Sequence, residues 1–485
     1  MSKKALDVIS FPDIRQAGRR NPKAGIELRE ADMSAPEELK QWAKGKTYCL
    51  FTSGCQANVR DSEILEGYFT NLGMKSEEDP GKADVVLFNT CAIRENAEKK
   101  IYGELGTLKK SAEENPGKII GICGCMAQEE KPMKVIRDRY PYVNLVFGTH
   151  NIDSLYSLLT ACIRSDERVF DVRSSQGDLV EGLPSYRRDK NKAFVNIMYG
   201  CDNFCTYCIV PYTRGRFRSR SMQDIVREVE KLKEEGYKEV TLLGQNVNAY
   251  GFDFAGEKGI GFASLLKEVA GTGIPRIRFM TSHPGYFTED VFQVMASYPN
   301  IMPSLHLPLQ SGSDVILKRM NRHYDTKTYL NLVKTVRKYI PDITLTTDII
   351  VGFPSETEND FLGTLKVCEE VQYDNAYTFI YSPREGTPAA TFIDRTSPKE
   401  KMDRFNRLLE VIDASASKKA QEEVGKTVEV LFDTVSKKDP NRISGYSRHN
   451  RLVHVKGDSS LIGQIRKVKI VESHTYSLLG ELLDE

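Results

Sequence analysis

A chain of 485 residues is too long for one ordinary core, and three domains are expected. With 68 basic against 67 acidic residues the net charge is +1, which excludes a globally basic nucleic-acid coat, so any RNA contact must come from local patches. No apolar run is long enough to span a membrane, and the first thirty residues lack the apolar stretch of a signal peptide.

Residues 1–45 read as a flexible N-terminal extension, and the protein is expected in the cytoplasm. Ten cysteines in a chain with no export signal favour thiolates on metal over a disulfide framework.

Residues 46–162 alternate apolar runs with amphipathic segments. Three of the runs end at a cysteine: Tyr48 to Cys55, Val85 to Cys91 and Ile119 to Cys125. Continuous apolar runs of this kind imply a parallel sheet, whose ligands gather at the carboxyl ends of its strands. Cys55, Cys91 and Cys125 are therefore expected to converge, and three thiolates can hold an iron-sulfur cluster with one iron left open. Cys123 competes with Cys125, since strand alternation puts both on the same face. Cys125 lies beyond the strand end beside Gly124 and is the better loop ligand. Cys49, Cys162 and Cys368 sit inside apolar stretches and read as core residues. Residues 163–186 are charged, contain Gly177, Gly182 and Pro184, and read as a linker.

Residues 187–418 open on an apolar run that leads into Gly200-Cys201-Asp202-Asn203-Phe204-Cys205-Thr206-Tyr207-Cys208. The C-x3-C-x2-C spacing supplies three ligands from one loop, and no fourth Cys or His follows to close a tetrahedral zinc site. Three ligands suit a four-iron cubane whose open iron can bind a substrate or cofactor directly. Strands are expected at 193–198, 239–243, 276–280, 304–307, 344–351 and 376–381, with helices between them. One such helix, 221–235, repeats Ile225, Val226, Val229 and Leu232 behind Ser221. Six strand-helix units suggest a partial (β/α)6 barrel with its site on the loops after the strands. Cys201, Gln245, Asn246, Ser282, His283, Gln310, Ser311 and Gly352 fall on those loops. Arg214, Arg216, Arg218 and Arg220 alternate after the cysteine loop; extended, they would present one face to phosphates or a carboxylate, and ion pairs with nearby acids are the other reading. His283 and His306 invite an acid-base role, against which a loop histidine is more often a hydrogen-bonding residue.

In residues 419–485 the pattern changes to short alternating runs at 427–432, 452–455 and 464–471, as in a small antiparallel barrel. Lys437, Lys438, Arg442, Arg448, Arg451, Lys456, Arg466, Lys467 and Lys469 give this segment the local positive charge that the whole chain lacks. Tyr446 and His449 are available for stacking on bases.

Two resemblances sharpen these expectations. The C-x3-C-x2-C loop resembles that of the radical S-adenosylmethionine (SAM) enzymes. Gly54-Cys55-Gln56-Ala57-Asn58-Val59-Arg60-Asp61-Ser62-Glu63, Asn89-Thr90-Cys91-Ala92-Ile93-Arg94-Glu95 and Gly124-Cys125-Met126-Ala127-Gln128, followed by Asn203-Phe204-Cys205-Thr206-Tyr207-Cys208-Ile209-Val210-Pro211-Tyr212-Thr213-Arg214-Gly215-Arg216, are similar to the methylthiotransferases, most closely their MiaB-type tRNA branch. Ala57 departs from the family, which often has Met there. The resemblance implies a Rossmann-like N-terminal domain, a radical SAM core and a C-terminal TRAM domain that binds RNA. It implies two 4Fe-4S clusters, one on Cys201, Cys205 and Cys208 and an auxiliary one on Cys55, Cys91 and Cys125, which favours Cys125 over Cys123. It also implies that the Gln245 and Asn246 loop meets the methionyl amino group of SAM. Gln310, Ser311 and Asp348 are further strand-end candidates for SAM or substrate.

The implied reaction converts N6-isopentenyladenosine at tRNA position 37 into its 2-methylthio derivative. One SAM gives a methyl group to sulfur at the auxiliary cluster, and a second is cleaved to a radical that takes the hydrogen from carbon 2. The implied partners are the tRNA anticodon stem-loop and an electron donor such as flavodoxin or ferredoxin, with the protein a monomer. A sibling enzyme acting on another tRNA adenosine or on a ribosomal-protein aspartate is the alternative, and the Asn203-Phe204 and Asn89 to Arg94 motifs argue against it. A non-enzymatic iron-sulfur or RNA-binding protein would not need the whole SAM barrel.

Overall fold

The computed structural model describes residues 7–11, 28–92, 95–165, 167–174, 178–254, 259–436 and 439–483, and they form two compact units. In the first unit the apolar runs form a wholly parallel sheet of seven strands. Their order is Asp7–Ile9, Val169–Val172, Leu145–Phe147, Ile119–Gly124, Val85–Thr90, Thr47–Thr52, Lys75–Ser76. Val85–Thr90 and Ile119–Gly124 are buried at every position, as strands covered on both faces must be. Alternate side chains feed two cores. Val85, Leu87 and Cys123 join Tyr48, Tyr68 and Phe147 on one face. Val86, Phe88, Ile120 and Ile122 join Leu105 and Met126 on the other.

The chain leaves Thr47–Thr52 toward Lys75–Ser76 on one side and then crosses to Val85–Thr90 on the other. The strand order therefore reverses between Thr47–Thr52 and Val85–Thr90, and such a switch point opens a crevice at the carboxyl ends. The segment expected to be a linker carries two strands: Val169–Val172 in the main sheet, and Leu179–Glu181, which pairs in parallel with Leu28–Glu30.

In the second unit Lys192–Asn196, Glu239–Leu243 and Arg276–Phe279 form one parallel sheet. Ser304–His306, Thr344–Val351 and Asn375–Ile380 form another. A parallel bridge between Ile277 and Ile301 carries the chain from the first to the second, so the six strands make a partial (β/α) barrel. Each strand lies within about two residues of its expected position. The expected helix is Met222–Glu234, burying Ile225, Val229 and Leu232, although the Ser221 hydroxyl bonds Gln223 rather than capping the backbone. The long helix Pro398–Gln421 leads into a closed five-stranded barrel of Thr427–Val435, Arg442–Ser447, Leu452–Lys456, Ser477–Leu482 and Ile465–His474. Two of these strands, Arg442–Ser447 and Ser477–Leu482, were not expected from the sequence.

Candidate functional site

Each of the first three cysteines leaves the carboxyl end of a strand next to the switch point. Cys55 is the N-cap of the helix Gln56–Asn71, Cys91 follows Val85–Thr90 directly, and Cys125 opens a 3-10 turn after Ile119–Gly124. The Sγ atoms of Cys55 and Cys125 both lie 4.0 Å from Oδ1 of Asn58. Gly54 brings Cys91 into the group. Its φ is +126°, and a Cβ there would stand 2.5 Å from Cβ and 3.1 Å from Sγ of Cys91, so only glycine lets the two loops close. Cys123 instead packs in the core with Tyr48 and Leu145, where burial pushes its thiol well up.

The Cys125 thiol is pushed up to about 11 by burial, against the pull of the Arg214 guanidinium, with Cys91 and Cys55 adding to the rise. Among the described residues no group of three His, Cys, Asp or Glu side chains is arranged to hold a single metal ion. Buried thiols gathered beside a guanidinium fit an anionic iron-sulfur cluster better than a zinc ion.

In the second cysteine set, Cys201 and Cys205 are buried and Cys208 is half-buried. Cys201 donates its backbone N–H to Gly215 O at 3.0 Å, and Asn203 Nδ2 donates to Cys201 Sγ at 3.3 Å. Gly200 precedes it with φ +76°, and a Cβ there would sit 2.0 Å from Arg216 O. In the second unit Arg322 Nη1 donates to Cys205 Sγ at 3.4 Å, while Thr206 is tied to Met320 O and Arg319 O. Buried sulfurs accepting hydrogen bonds from an amide and a guanidinium fit cluster ligation.

The four arginines do not form a ladder for phosphate. The helical Arg214 and the left-handed Gly215 break the extended segment, and acids of the first unit claim three of the four side chains. Arg214 bonds Asp61 at 2.6 Å, Arg216 bonds Asp202 at 2.8 Å, and Arg220 grips both carboxylate oxygens of Glu181. Arg218 donates to Arg214 O at 2.9 Å and lies over the Tyr199 ring.

The candidates for SAM or substrate fall on the two sheets of the half-barrel. Gln245 and Asn246 follow Glu239–Leu243; Asn246 is 1% exposed, and neither atom of its amide has a partner. Gln310 and Ser311 follow Ser304–His306, and Gln310 N donates at 2.8 Å to the carbonyl of Asp348, which lies within Thr344–Val351. His306 is held by Thr346 at 2.9 Å and Asp348 at 3.3 Å, which makes it a member of a hydrogen-bonded wall. His283 accepts from Gly285 N, and burial pushes it down to about 2, so it stays neutral. Asn58, Asp61 and Arg322 are the polar contacts that sequence reasoning missed. Asn58 and Asp61 lie three and six residues after Cys55 on one helix, a spacing that could have flagged them.

Of the basic residues in the small barrel, several are engaged within the second unit. Arg451 pairs with Asp374, Arg448 donates to Pro299 O, and His449 bonds Asp342 at 3.0 Å. Lys192 lies over the Tyr446 ring. Lys456, Lys467 and Lys469 are exposed; Lys437 and Lys438 lie outside the described residues.

The half-barrel with its three-cysteine loop matches the model of the radical SAM superfamily over residues 195–368. The sheet that carries Cys55, Cys91 and Cys125 matches uncharacterized protein family UPF0004 over residues 47–148, and the small barrel matches the TRAM domain over 421–483. The radical SAM methyltransferase TsrM from Kitasatospora setae, with a tryptophan substrate and a SAM analog bound, shares the fold. Its TM-score is 0.52 at 14% identity, covering 71% of this chain and 74% of that one. Fold and site thus define a radical SAM enzyme that uses SAM and a 4Fe-4S cluster.

The tRNA-2-methylthio-N(6)-dimethylallyladenosine synthase of Geobacillus kaustophilus is 49% identical over 474 residues, 98% of this chain and 89% of that one. That of Bacillus subtilis is 47% identical over 482 residues, 99% and 94% of the two chains. The chain belongs to this family of synthases.

Proposed function

We propose that the enzyme converts N6-isopentenyladenosine at position 37 of tRNA into its 2-methylthio derivative. The observation that carries this reading is the pair of three-cysteine sets, each missing a fourth ligand, in a chain similar over nearly its whole length to synthases of that product. Cys201, Cys205 and Cys208 hold one 4Fe-4S cluster, and Cys55, Cys91 and Cys125 hold a second. When bound, the cluster on Cys201, Cys205 and Cys208 would supply, with SAM, radical chemistry for hydrogen abstraction, and the one on Cys55, Cys91 and Cys125 would supply the sulfur for methylthio transfer, with a second SAM as methyl donor.

The chain's own residues bind and orient. Asn246 offers a buried amide with a donor and an acceptor to spare, suited to the polar groups of SAM. Gln245, Gln310, Ser311 and Asp348 line the same barrel mouth. Asn203 and Arg322 place hydrogen bonds on the sulfurs of Cys201 and Cys205. A base in a single-stranded loop can be splayed out to meet such a site without breaking a duplex. The exposed lysines of the small barrel hold the RNA backbone. A one-electron donor of the flavodoxin or ferredoxin kind reduces the cluster, and the enzyme acts as a monomer in the cytoplasm; among the described residues no helix is long and apolar enough to cross a membrane.

The test is nucleoside mass spectrometry of isopentenylated tRNA incubated without oxygen with reconstituted protein, SAM and reductant. The methylthio-bearing nucleoside is expected. Replacing any one of the six cysteines by Ala should lower product by at least about a thousandfold, and full activity in Cys201→Ala would refute the radical assignment.

A further inference from the structure

One buried cation enclosed by this chemistry has no role in the reading above. Arg214 is 6% exposed, and its described side-chain bonds go to the surroundings of the first cysteine set. Its Nε donates to Cys125 Sγ at 3.3 Å, and its Nη2 donates to Asn58 Oδ1 at 2.9 Å and to Asp61 Oδ2 at 2.6 Å. Asn58 is oriented for this: its Nδ2 is spent on Ser53 O at 2.8 Å, which turns Oδ1 toward the guanidinium and toward the sulfurs of Cys55 and Cys125.

Arg214 arrives from the other cysteine loop. Six residues after Cys208, it closes the turn Val210–Thr213 by donating its N–H to Val210 O at 2.8 Å. Ile209 and Tyr212 of that turn pack with Ala92 and Cys125 in one apolar patch, which fixes the turn against the strand-end crevice. The Arg214 carbonyl is in turn held by Arg218 at 2.9 Å. A short strap, all within the first unit, thus begins at a ligand of one set and ends with a cation on a ligand of the other.

The charge arrangement has a direction. Arg214 and Asp61 together are neutral, but the guanidinium end of the pair touches the sulfur and the carboxylate end points away. A cluster on three thiolates is anionic, and burying it requires compensating positive charge. An N–H donor on a ligand sulfur withdraws electron density and favours the more negative, reduced cluster, which raises the reduction potential.

Resting on the reading that Cys55, Cys91 and Cys125 hold an iron-sulfur cluster, we propose that Arg214 is the positioning residue of that auxiliary centre. It orients Cys125, compensates the buried charge and sets the potential, and it ties those properties to the loop that carries the radical cluster.

The experiment uses the full-length chain with Cys201, Cys205 and Cys208 all changed to Ala, so that one cluster remains. Iron content, the EPR-monitored midpoint potential and the rate of bleaching by a chelator are measured in this parent and in Arg214→Gln, Arg214→Lys and the double variant Asp61→Asn/Arg214→Gln. The double variant removes the buried carboxylate together with its guanidinium, so Asp61 is not left as an unpaired charge and folding is preserved. The expected result is a more negative midpoint and several-fold faster bleaching in both Gln variants, with part of the shift recovered in Arg214→Lys. An unchanged midpoint and bleaching rate in both Gln variants, at four irons per chain, would overturn the role of Arg214 while leaving the cluster assignment intact. A parent without four irons would overturn the assignment of the three cysteines and the proposal with it.

Discussion

Asp61 is worth more to the fold as the counterion of Arg214 than as a hydrogen-bond acceptor. Both side chains are over nine-tenths buried, and a buried charge whose partner is removed costs roughly 3–5 kcal/mol. Asp61→Ala should therefore lower the melting temperature by several degrees, whereas Asp61→Asn combined with Arg214→Gln should restore most of the loss; thermal denaturation followed by circular dichroism checks both. Glu356 makes the opposite case. Burial pushes its carboxyl up to about 7 even though Gly352 N and Arg404 pull it down. The folded chain keeps this proton to higher pH than the unfolded chain does, so its contribution is fully present below pH 4.5 and is lost as pH rises toward 7. Melting temperatures between pH 4.5 and 7.5 should show a decline that Glu356→Gln flattens. Six cysteines stood out in the sequence as candidate ligands because each stands at a strand end or in a fixed spacing. Arg322 did not, because what marks it is a neighbour brought in by the fold, and for Asn58 and Asp61 the only signal was their helical spacing after Cys55.

At the level of elements, legibility followed apolar continuity. Val85–Thr90 and Ile119–Gly124 read clearly as strands because every position is buried. Arg442–Ser447 did not, since its Ser, Gly and Tyr residues carry little strand signal. Gly445 is required there by a close approach: a Cβ would stand 2.1 Å from Leu431 O of the neighbouring strand. The alternating arginines misled for a related reason, because alternation predicts one face only where the backbone is extended, and Arg214 is helical and Gly215 left-handed. Helix ends carry measurable weight too. The helix Glu358–Val371 starts with a capping box in which Thr357 accepts from Asp360 N and the Asp360 carboxylate accepts from Thr357 N at 2.9 Å. Thr357→Ala should cost about 1 kcal/mol, read from urea denaturation.

On the scale of the whole molecule, near-zero net charge hides a local arrangement. On Ile465–His474, Lys467 and Lys469 are exposed on one face while Val468 and Ile470 enter the barrel core. Changing both lysines to Glu should weaken tRNA binding by about tenfold or more at low salt and flatten the dependence of affinity on salt, as a filter-binding titration would show. The SAM-dependent formation of 5′-deoxyadenosine in the absence of tRNA should be unaffected.

The small barrel is fastened in an unusual way. Arg276 donates to Tyr446 O at 3.0 Å, and Arg278, anchored on Glu239 at 3.0 Å, donates to Ser447 O at 2.7 Å and Arg448 O at 3.2 Å. Every acceptor in that grip is a main-chain carbonyl, a group that all amino acids share. Side chains of the same turn add to the grip, since Arg448, His449 and Arg451 are spent on Pro299 O, Asp342 and Asp374. The mounting and the exposed lysines Lys467 and Lys469 thus use different residues of the barrel, so charge on the lysine face can be changed while the attachment is kept.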